Sequence, residues 1–128
     1  MITEEFSLNV GVNPGYAHNN TVTHVKNLVA TTWQAEAEKV FKKTGVFVAG
    51  VVDARTTVYK EEWGCPKGGE DTVVVTGLRN PEFQKDAETW MESVKEVCKA
   101  VATALEQTTA YLTFTDVDFY YLKPEPKA

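Results

Sequence analysis

Two groups of side chains in the sequence have the types and spacing that ligand binding requires. The first is a row of alternating residues, Thr57, Tyr59, Glu61 and Trp63, which share one side if the segment is a β-strand. Such a row would form a small aromatic wall with one acid, and it would serve equally as an oligomer contact or a solvated sheet edge. Glu62 would point to the other face, so Glu61 and Glu62 do not form a catalytic carboxylate pair.

The second group consists of the two arginines of the chain and one asparagine. Arg79 and Asn80 end a predicted strand just before a helix, where a guanidinium group can hold an anion through two parallel hydrogen bonds. Arg55 can join them from the neighbouring strand or from another subunit. The alternative is an arginine that pairs with a surface glutamate. With Tyr59 and Trp63, these three residues make up the predicted ligand-binding set.

The familiar patterns of catalytic and metal sites do not occur in the sequence. His18 and His24 are not part of a CxxC, HxH or HExxH pattern, so no metal site is predicted. Cys65 is a potential nucleophile, but it lies among glutamates and an aspartate whose negative charges disfavour a thiolate. We therefore predict no catalytic residue, no metal and no cofactor.

Length and composition narrow the class of protein. A chain of 128 residues indicates one domain, expected over 1–123 with a flexible tail at 124–128. The formal net charge of −5 argues against a nucleic-acid polymer as partner, because such binding uses lysine and arginine to neutralise phosphates. The sequence contains neither a membrane-spanning run nor a signal peptide, so we expect no membrane partner and a cytoplasmic protein. Cys65 and Cys98 are expected to be free thiols in a reducing cell.

Hydrophobic periodicity predicts six elements in the order β-α-β-β-α-β. The predicted strands are 5–13, 46–63, 72–78 and 109–122, and the predicted helices run from Thr21 or Thr23 to Gly45 and over 86–106. This order is typical of the ferredoxin-like plan, an α+β fold in which two helices cover one face of a four-stranded antiparallel sheet. The third strand has no aromatic side chain, which argues against base stacking of the RRM type.

Two features predict a homo-oligomer, either a dimer or a higher assembly. The predicted strand 46–63 is much longer than its hairpin partner 72–78, and an unpaired overhang exposes backbone groups that can pair with another chain. The helices also leave one face of the sheet uncovered, and aromatic residues follow near the end of the chain. The alternative is that Phe119 and Tyr121 extend the core of a monomer.

These expectations combine into one predicted function with two alternatives. The prediction is a non-enzymatic protein that binds or sequesters a small anionic molecule at a subunit interface, and a nucleotide-derived ligand would fit. Binding ranks above catalysis because no acid–base or nucleophile pair is visible. The first alternative is a small enzyme with Cys65, Glu61 and a histidine at a cleft. The second is an adaptor that adds its strands to a partner's sheet.

Overall fold

The computed structural model describes residues 1–12 and 22–125 and confirms the predicted order of elements. Four antiparallel strands form one sheet in the spatial order β2-β3-β1-β4, and both helices pack on the same face of it. This is the ferredoxin-like α+β plan. The elements are β1 (Ile2–Gly11), α1 (Val22–Thr44), β2 (Val51–Thr57), β3 (Glu70–Leu78), α2 (Ala87–Ala104) and β4 (Tyr111–Asp118), with a 3-10 turn at Glu61–Trp63.

Some predictions lie outside the described residues. They are the end of the first strand at residue 13, the turn that follows it, His18, the capping residue Thr21, and residues 126–128 of the predicted tail. Neither described helix combines the length and the apolar composition needed to cross a bilayer.

The central strand β1 separates the two sides of the sheet. Its side chains Phe6, Leu8 and Val10 are buried under the helices, as the alternating pattern predicts. The Phe6 ring stacks on Trp33 of α1 with centroids 5.6 Å apart, and it lies 6.0 Å from the Trp90 ring of α2. One ring of β1 therefore contacts both helices.

The opposite side of β1 faces away from the helices and carries small or polar side chains. Partners across an antiparallel ladder share a face of the sheet, and the register pairs Asn9 with Val74 on one side and Tyr111 on the other. We call this side the open face. It consists of Thr3, Glu5, Ser7, Asn9 and Gly11 of β1, the residues of β3 and β4 that pair with them, and Val51, Asp53, Arg55 and Thr57 of β2.

The helix boundaries follow the capping residues. Gly45 ends α1 with a φ of 80° and donates its N–H to the Phe41 carbonyl at 2.8 Å. Asp86 caps α2, where its carboxylate accepts from the N–H groups of Glu88 and Thr89 at 3.1 and 3.3 Å. These hydrogen bonds, with the Thr89 hydroxyl contributing most, lower the pKa of Asp86.

The predicted second strand, 46–63, is wrong in length. β2 has 7 residues and β3 has 9, so the overhang expected to pair with another chain, or with an adaptor's partner, does not exist. Val46 and Val48 are buried, but residues 46–50 are outside the ladder. The Val48 carbonyl instead accepts a hydrogen bond from the Trp33 indole N–H at 2.9 Å. The Trp33 side chain therefore satisfies a backbone carbonyl in a segment that the sequence predicted to be part of a strand.

Residues 46–50 pass very close to β3 at Gly77. A Cβ atom at Gly77 would lie 2.4 Å from the Ala49 carbonyl oxygen and 2.4 Å from Cε2 of Phe6. The Ala49 oxygen belongs to the backbone, and the Phe6 ring is held between two tryptophans. Neither neighbour can move freely, so this position requires glycine.

We expect Gly77→Ala to lower the free energy of unfolding by about 1–3 kcal/mol, the usual cost of overpacking a core. The matched control is Gly11→Ala in β1, where the added Cβ meets only the side chain of Gln107, whose end can rotate away. Urea denaturation of both variants measures the difference. If the two variants are equally stable, the close approach of residue 49 to β3 is not a real constraint.

Candidate functional site

A cavity on the open face brings together segments that are far apart in the sequence. Its volume is about 380 Å³, within the range of small-molecule sites. It lies where β2 ends, where β3 begins and where the chain returns from α2 into β4. We call it the open-face cavity, and it is lined by Asn9, Gly11, Thr57, Tyr59, Trp63, Glu70, Thr72, Gln107, Thr109, Ala110 and Tyr111.

Three aromatic side chains form the walls of this cavity. Tyr59 is half-buried, whereas Trp63 and Tyr111 are 75% and 76% exposed. The Lys60 ammonium lies 5.9 Å from the centroid of the Trp63 ring. Aromatic faces stack on planar rings and attract cations, so these walls suit a ligand that has a flat ring, a positive charge, or both.

The Glu70 carboxylate is the acidic group among the described lining residues. It is half-buried and accepts a hydrogen bond from the Tyr59 hydroxyl. Partial burial, the negative charge of Glu70 and this hydrogen bond raise the pKa of Tyr59. The phenol therefore remains protonated and keeps the carboxylate oriented.

The floor of the cavity is a chain of polar side chains on three neighbouring strands. The Asn9 amide nitrogen donates to the Thr57 hydroxyl at 3.3 Å, and the hydroxyls of Thr57 and Thr72 are hydrogen-bonded at 2.8 Å. The Asn9 Oδ1 atom is buried and has no hydrogen-bond partner in the described part of the chain. A buried acceptor without a partner is costly, and in a cavity it marks a place where a ligand donor can bind.

The structure brings together three of the four residues in the predicted row. Thr57, Tyr59 and Trp63 line the cavity, whereas Glu61 is exposed and lies outside it. The strand ends at Thr57 and a 3-10 turn covers Glu61–Trp63, so strand alternation does not place these side chains.

Arg79 and Asn80 lie far from this cavity. They follow the other end of β3, which at about 3.3 Å per residue puts Arg79 roughly 30 Å from Glu70. The buried Arg79 guanidinium donates to both carboxylate oxygens of Glu4, at 2.8 and 3.3 Å, and to the Gln84 carbonyl at 2.8 Å. The alternative of an arginine paired with a glutamate is what the structure shows.

Arg55 is also outside the cavity. It lies on the edge strand β2, and its guanidinium contacts the Asp53 carboxylate at 2.9 Å, with both side chains more than half exposed. Of the predicted ligand-binding set, the structure therefore brings only Tyr59 and Trp63 together.

The two cysteines are free, buried thiols that lie outside the open-face cavity. Cys65 Sγ accepts from the Tyr59 backbone N–H at 3.4 Å and donates to the Pro66 carbonyl at 3.3 Å, so it fixes the loop that carries Tyr59. Burial raises the pKa of the Cys98 thiol on α2 to about 12. A cleft built from Cys65 and Glu61, as the enzyme alternative assumed, is not present.

A second, larger concavity lies between α2 and β4. Its volume is about 450 Å³, and its floor consists of Leu8, Cys98, Ala102 and Leu112, with Lys95 and Lys99 at the rim. Its described lining residues include no aromatic ring and no buried polar atom without a partner. The open-face cavity is therefore the stronger candidate.

Four lining residues with useful chemistry were not among the predicted site residues. They are Asn9, Glu70, Gln107 and Tyr111. Asn9 gave a weak signal, as a carboxamide in the middle of an alternating strand. Glu70 and Tyr111 stand at the starts of their strands and reach the cavity through the strand register, which the sequence does not specify.

Two solved structures share the fold. A phage SAM lyase in complex with S-methyl-5′-thioadenosine has a TM-score of 0.57 and 17% identity, covering 88% of this chain and 80% of its own. A phage SAM lyase in the apo state has a TM-score of 0.60 and 16% identity, covering 99% of this chain and 94% of its own. None of the curated proteins searched matches the chain.

A family model described as SAM lyase matches residues 1–123, almost the whole chain. This match contradicts the predicted non-enzymatic binding protein and the preference for binding over catalysis. The prediction failed because it required a visible nucleophile or acid–base pair as the sign of catalysis. The chain belongs to the SAM lyase family.

Proposed function

We propose that the chain cleaves S-adenosylmethionine (SAM) in the open-face cavity and releases S-methyl-5′-thioadenosine. The observation that carries this proposal is the family match over residues 1–123. The ligand in one of the structures with the same fold, S-methyl-5′-thioadenosine, is the thioether that remains when SAM loses its aminobutyrate part. The aromatic walls, the carboxylate and the polar floor of the cavity support this choice of substrate.

The charge of the cavity favours a cation over the anion predicted from the arginines. SAM carries a sulfonium and an α-ammonium group against a single carboxylate, so its net charge is positive. Glu70 lines the cavity, whereas Arg55 and Arg79 lie outside it and pair with Asp53 and Glu4. An acidic, aromatic cavity attracts this substrate through Coulomb and cation–π interactions.

The reaction breaks the bond between the sulfonium sulfur and the γ-carbon of the methionine part. The electron pair of that bond stays on sulfur, which becomes the neutral thioether. The γ-carbon receives a new pair from the α-carboxylate oxygen of the same substrate, and the five-membered lactone of homoserine forms. No proton moves and no water enters, so the step requires a folded substrate conformation and no general base.

The changes of charge in this step assign separate roles to the lining residues. The positive sulfonium and the negative carboxylate neutralise each other in the transition state, so the aromatic walls favour the reaction by excluding water. A carboxylate of the protein beside the sulfonium would stabilise the reactant more than the transition state. Glu70 therefore binds the α-ammonium, whose charge does not change, and Tyr59 orients Glu70.

We expect the purified protein to convert SAM into equimolar S-methyl-5′-thioadenosine and homoserine lactone, which proton NMR can follow directly. SAM deuterated at the β-carbon should react at the same rate, because no bond to that hydrogen breaks. A primary isotope effect together with vinyl proton signals from the product would show that the reaction is an elimination and not a displacement. If no thioether is released, the proposed function is wrong.

We expect Glu70→Gln to lower kcat/KM for SAM roughly 10- to 100-fold, because a charge-assisted hydrogen bond to the ammonium is lost. Affinity for S-methyl-5′-thioadenosine, which has no ammonium group, should change little. Glu61→Gln is the matched control, since Glu61 is exposed on the same connection but outside the cavity. Steady-state kinetics and titration calorimetry give the two readouts.

An equal loss of affinity for SAM and for the thioether in Glu70→Gln would contradict the assigned role. Glu70 would then contact the adenosine half or would only support the fold. A loss in Glu61→Gln as large as in Glu70→Gln would show that the overall negative charge matters, and not the position of one carboxylate.

We also infer that a second copy of the chain covers the open face. Trp63 and Tyr111 are walls of the cavity, yet about three quarters of each side chain is exposed. Phe119 is half-buried but Tyr121 is not, and Tyr121 forms an exposed pair with Phe83 at a centroid distance of 5.9 Å. A partner subunit that covers the open face would exclude water from the reaction.

We expect sedimentation equilibrium of the wild-type protein to give a mass of two or more chains. Thr113→Lys places a charge on the open face beside Ser7, outside the cavity, and should shift the protein toward the monomer. Thr103→Lys, at an exposed position of α2, is the matched control and should leave the mass unchanged. A wild-type monomer at micromolar concentration would contradict this inference.

A further inference from the structure

The carboxamide of Asn9 is held in one orientation on the floor of the open-face cavity. Its nitrogen donates to Thr57 Oγ1 at 3.3 Å, and the Thr57 hydroxyl is hydrogen-bonded to Thr72 at 2.8 Å. Because nitrogen and oxygen share one planar group, this contact also fixes the direction of Oδ1. Among the described residues, Asn9 Oδ1 is the buried side-chain oxygen or nitrogen atom that has no hydrogen-bond partner.

The neighbouring positions do not supply the missing donor. On the open face, Asn9 is paired with Val74 on β3 and with Tyr111 on β4. Valine has no side-chain donor, and Tyr111 is 76% exposed, so its side chain extends toward solvent. The acceptor is therefore oriented and buried, and its residue lines a cavity wide enough for a ligand of small-molecule size.

We propose that Asn9 reads the 6-amino group of the adenine ring. This inference rests on the proposed function, because it assumes that an adenosine thioether or its sulfonium enters the cavity. The Asn9 oxygen accepts from the 6-amino group. The amide nitrogen has two hydrogens and gives one to Thr57, so the other can donate to the adjacent ring nitrogen.

The other donors of SAM fit this position less well. The α-ammonium is a full cation, and the Glu70 carboxylate meets its charge better than a neutral carboxamide does. A ribose hydroxyl both donates and accepts, so it does not require an acceptor that is fixed in direction. The adenine edge is flat and places a donor beside an acceptor, the complement of a carboxamide, and the ring can stack between Tyr59, Trp63 and Tyr111.

If Asn9 recognises the 6-amino group, the site must bind a base that carries oxygen at that position more weakly. In hypoxanthine the 6-oxo group is an acceptor, so it would face the Asn9 oxygen with no hydrogen between them. Sites that hydrogen-bond a specific group discriminate strongly against analogues that leave the buried partner unpaired. Asn9 would thus act as a specificity residue for adenosine and would leave the cleavage step itself unchanged.

The experiment compares two neutral thioethers that differ at one position of the base. S-Methyl-5′-thioadenosine and S-methyl-5′-thioinosine are titrated into the wild-type protein by calorimetry, and SAM cleavage is measured on the same sample. We expect the inosine compound to bind roughly 10- to 100-fold more weakly. Asn9→Leu, which keeps the branching and the number of side-chain heavy atoms but has no polar atoms, should bring the affinity ratio close to one. Ser7→Ala, on the same face of β1 but outside the cavity, should keep the wild-type ratio.

The outcomes separate this inference from the proposed function. A wild-type protein that cleaves SAM but binds both thioethers equally overturns the role of Asn9 and leaves the function intact. A wild-type protein that neither cleaves SAM nor binds the adenosine thioether overturns both. If Asn9→Leu retains the wild-type ratio, another residue reads the base. If this variant does not fold, the wild-type ratio alone still decides whether the 6-position is read.

Discussion

The strict alternation of side chains along the central strand is the constraint on which both the core and the cavity depend. β1 pairs with β3 on one edge and with β4 on the other, so a slip by one residue would have to break both ladders. Phe6, Leu8 and Val10 must lie under the helices, where they are buried. The same alternation leaves Asn9 on the open face, between Val74 and Tyr111. The packing of the core thus determines where the polar floor of the cavity lies.

The connection between β2 and β3 is both a hairpin and a wall of the site. Cys65 holds the Tyr59 backbone through its sulfur, and the 3-10 turn carries Trp63. Gly69 closes the loop with a φ of 97°, where a Cβ would lie 2.9 Å from the Thr57 carbonyl oxygen. Each of these features fixes the loop close to the strand ends. The result places Tyr59 and Trp63 next to Glu70, although neither of them lies in a β-strand.

The sequence was sufficient for the features that depend on periodicity and was not sufficient for those that depend on a distant partner. The order of elements, the buried side of β1 and the end of α1 at Gly45 follow from spacing and capping. The run at 46–50 is apolar and β-branched like a strand, but its backbone is satisfied in part by the Trp33 side chain. The predicted anion site failed in the same way, because Arg79 is paired with Glu4, which is distant in the sequence.

There is a chemical reason why the sequence shows no recognisable catalytic motif. In the proposed reaction, the substrate itself contains both the attacking carboxylate and the sulfonium leaving group, so it needs no nucleophile and no base from the protein. What the protein must supply is a folded substrate conformation, a fixed place for each charged group and the exclusion of water. These tasks belong to ordinary residues such as asparagine, tyrosine and tryptophan, which form no recognisable motif. If the proposed reaction requires the exclusion of water, the exposed walls at Trp63 and Tyr111 have to be covered. The proposed subunit contact on the open face and the proposed cleavage of SAM therefore depend on the same surface.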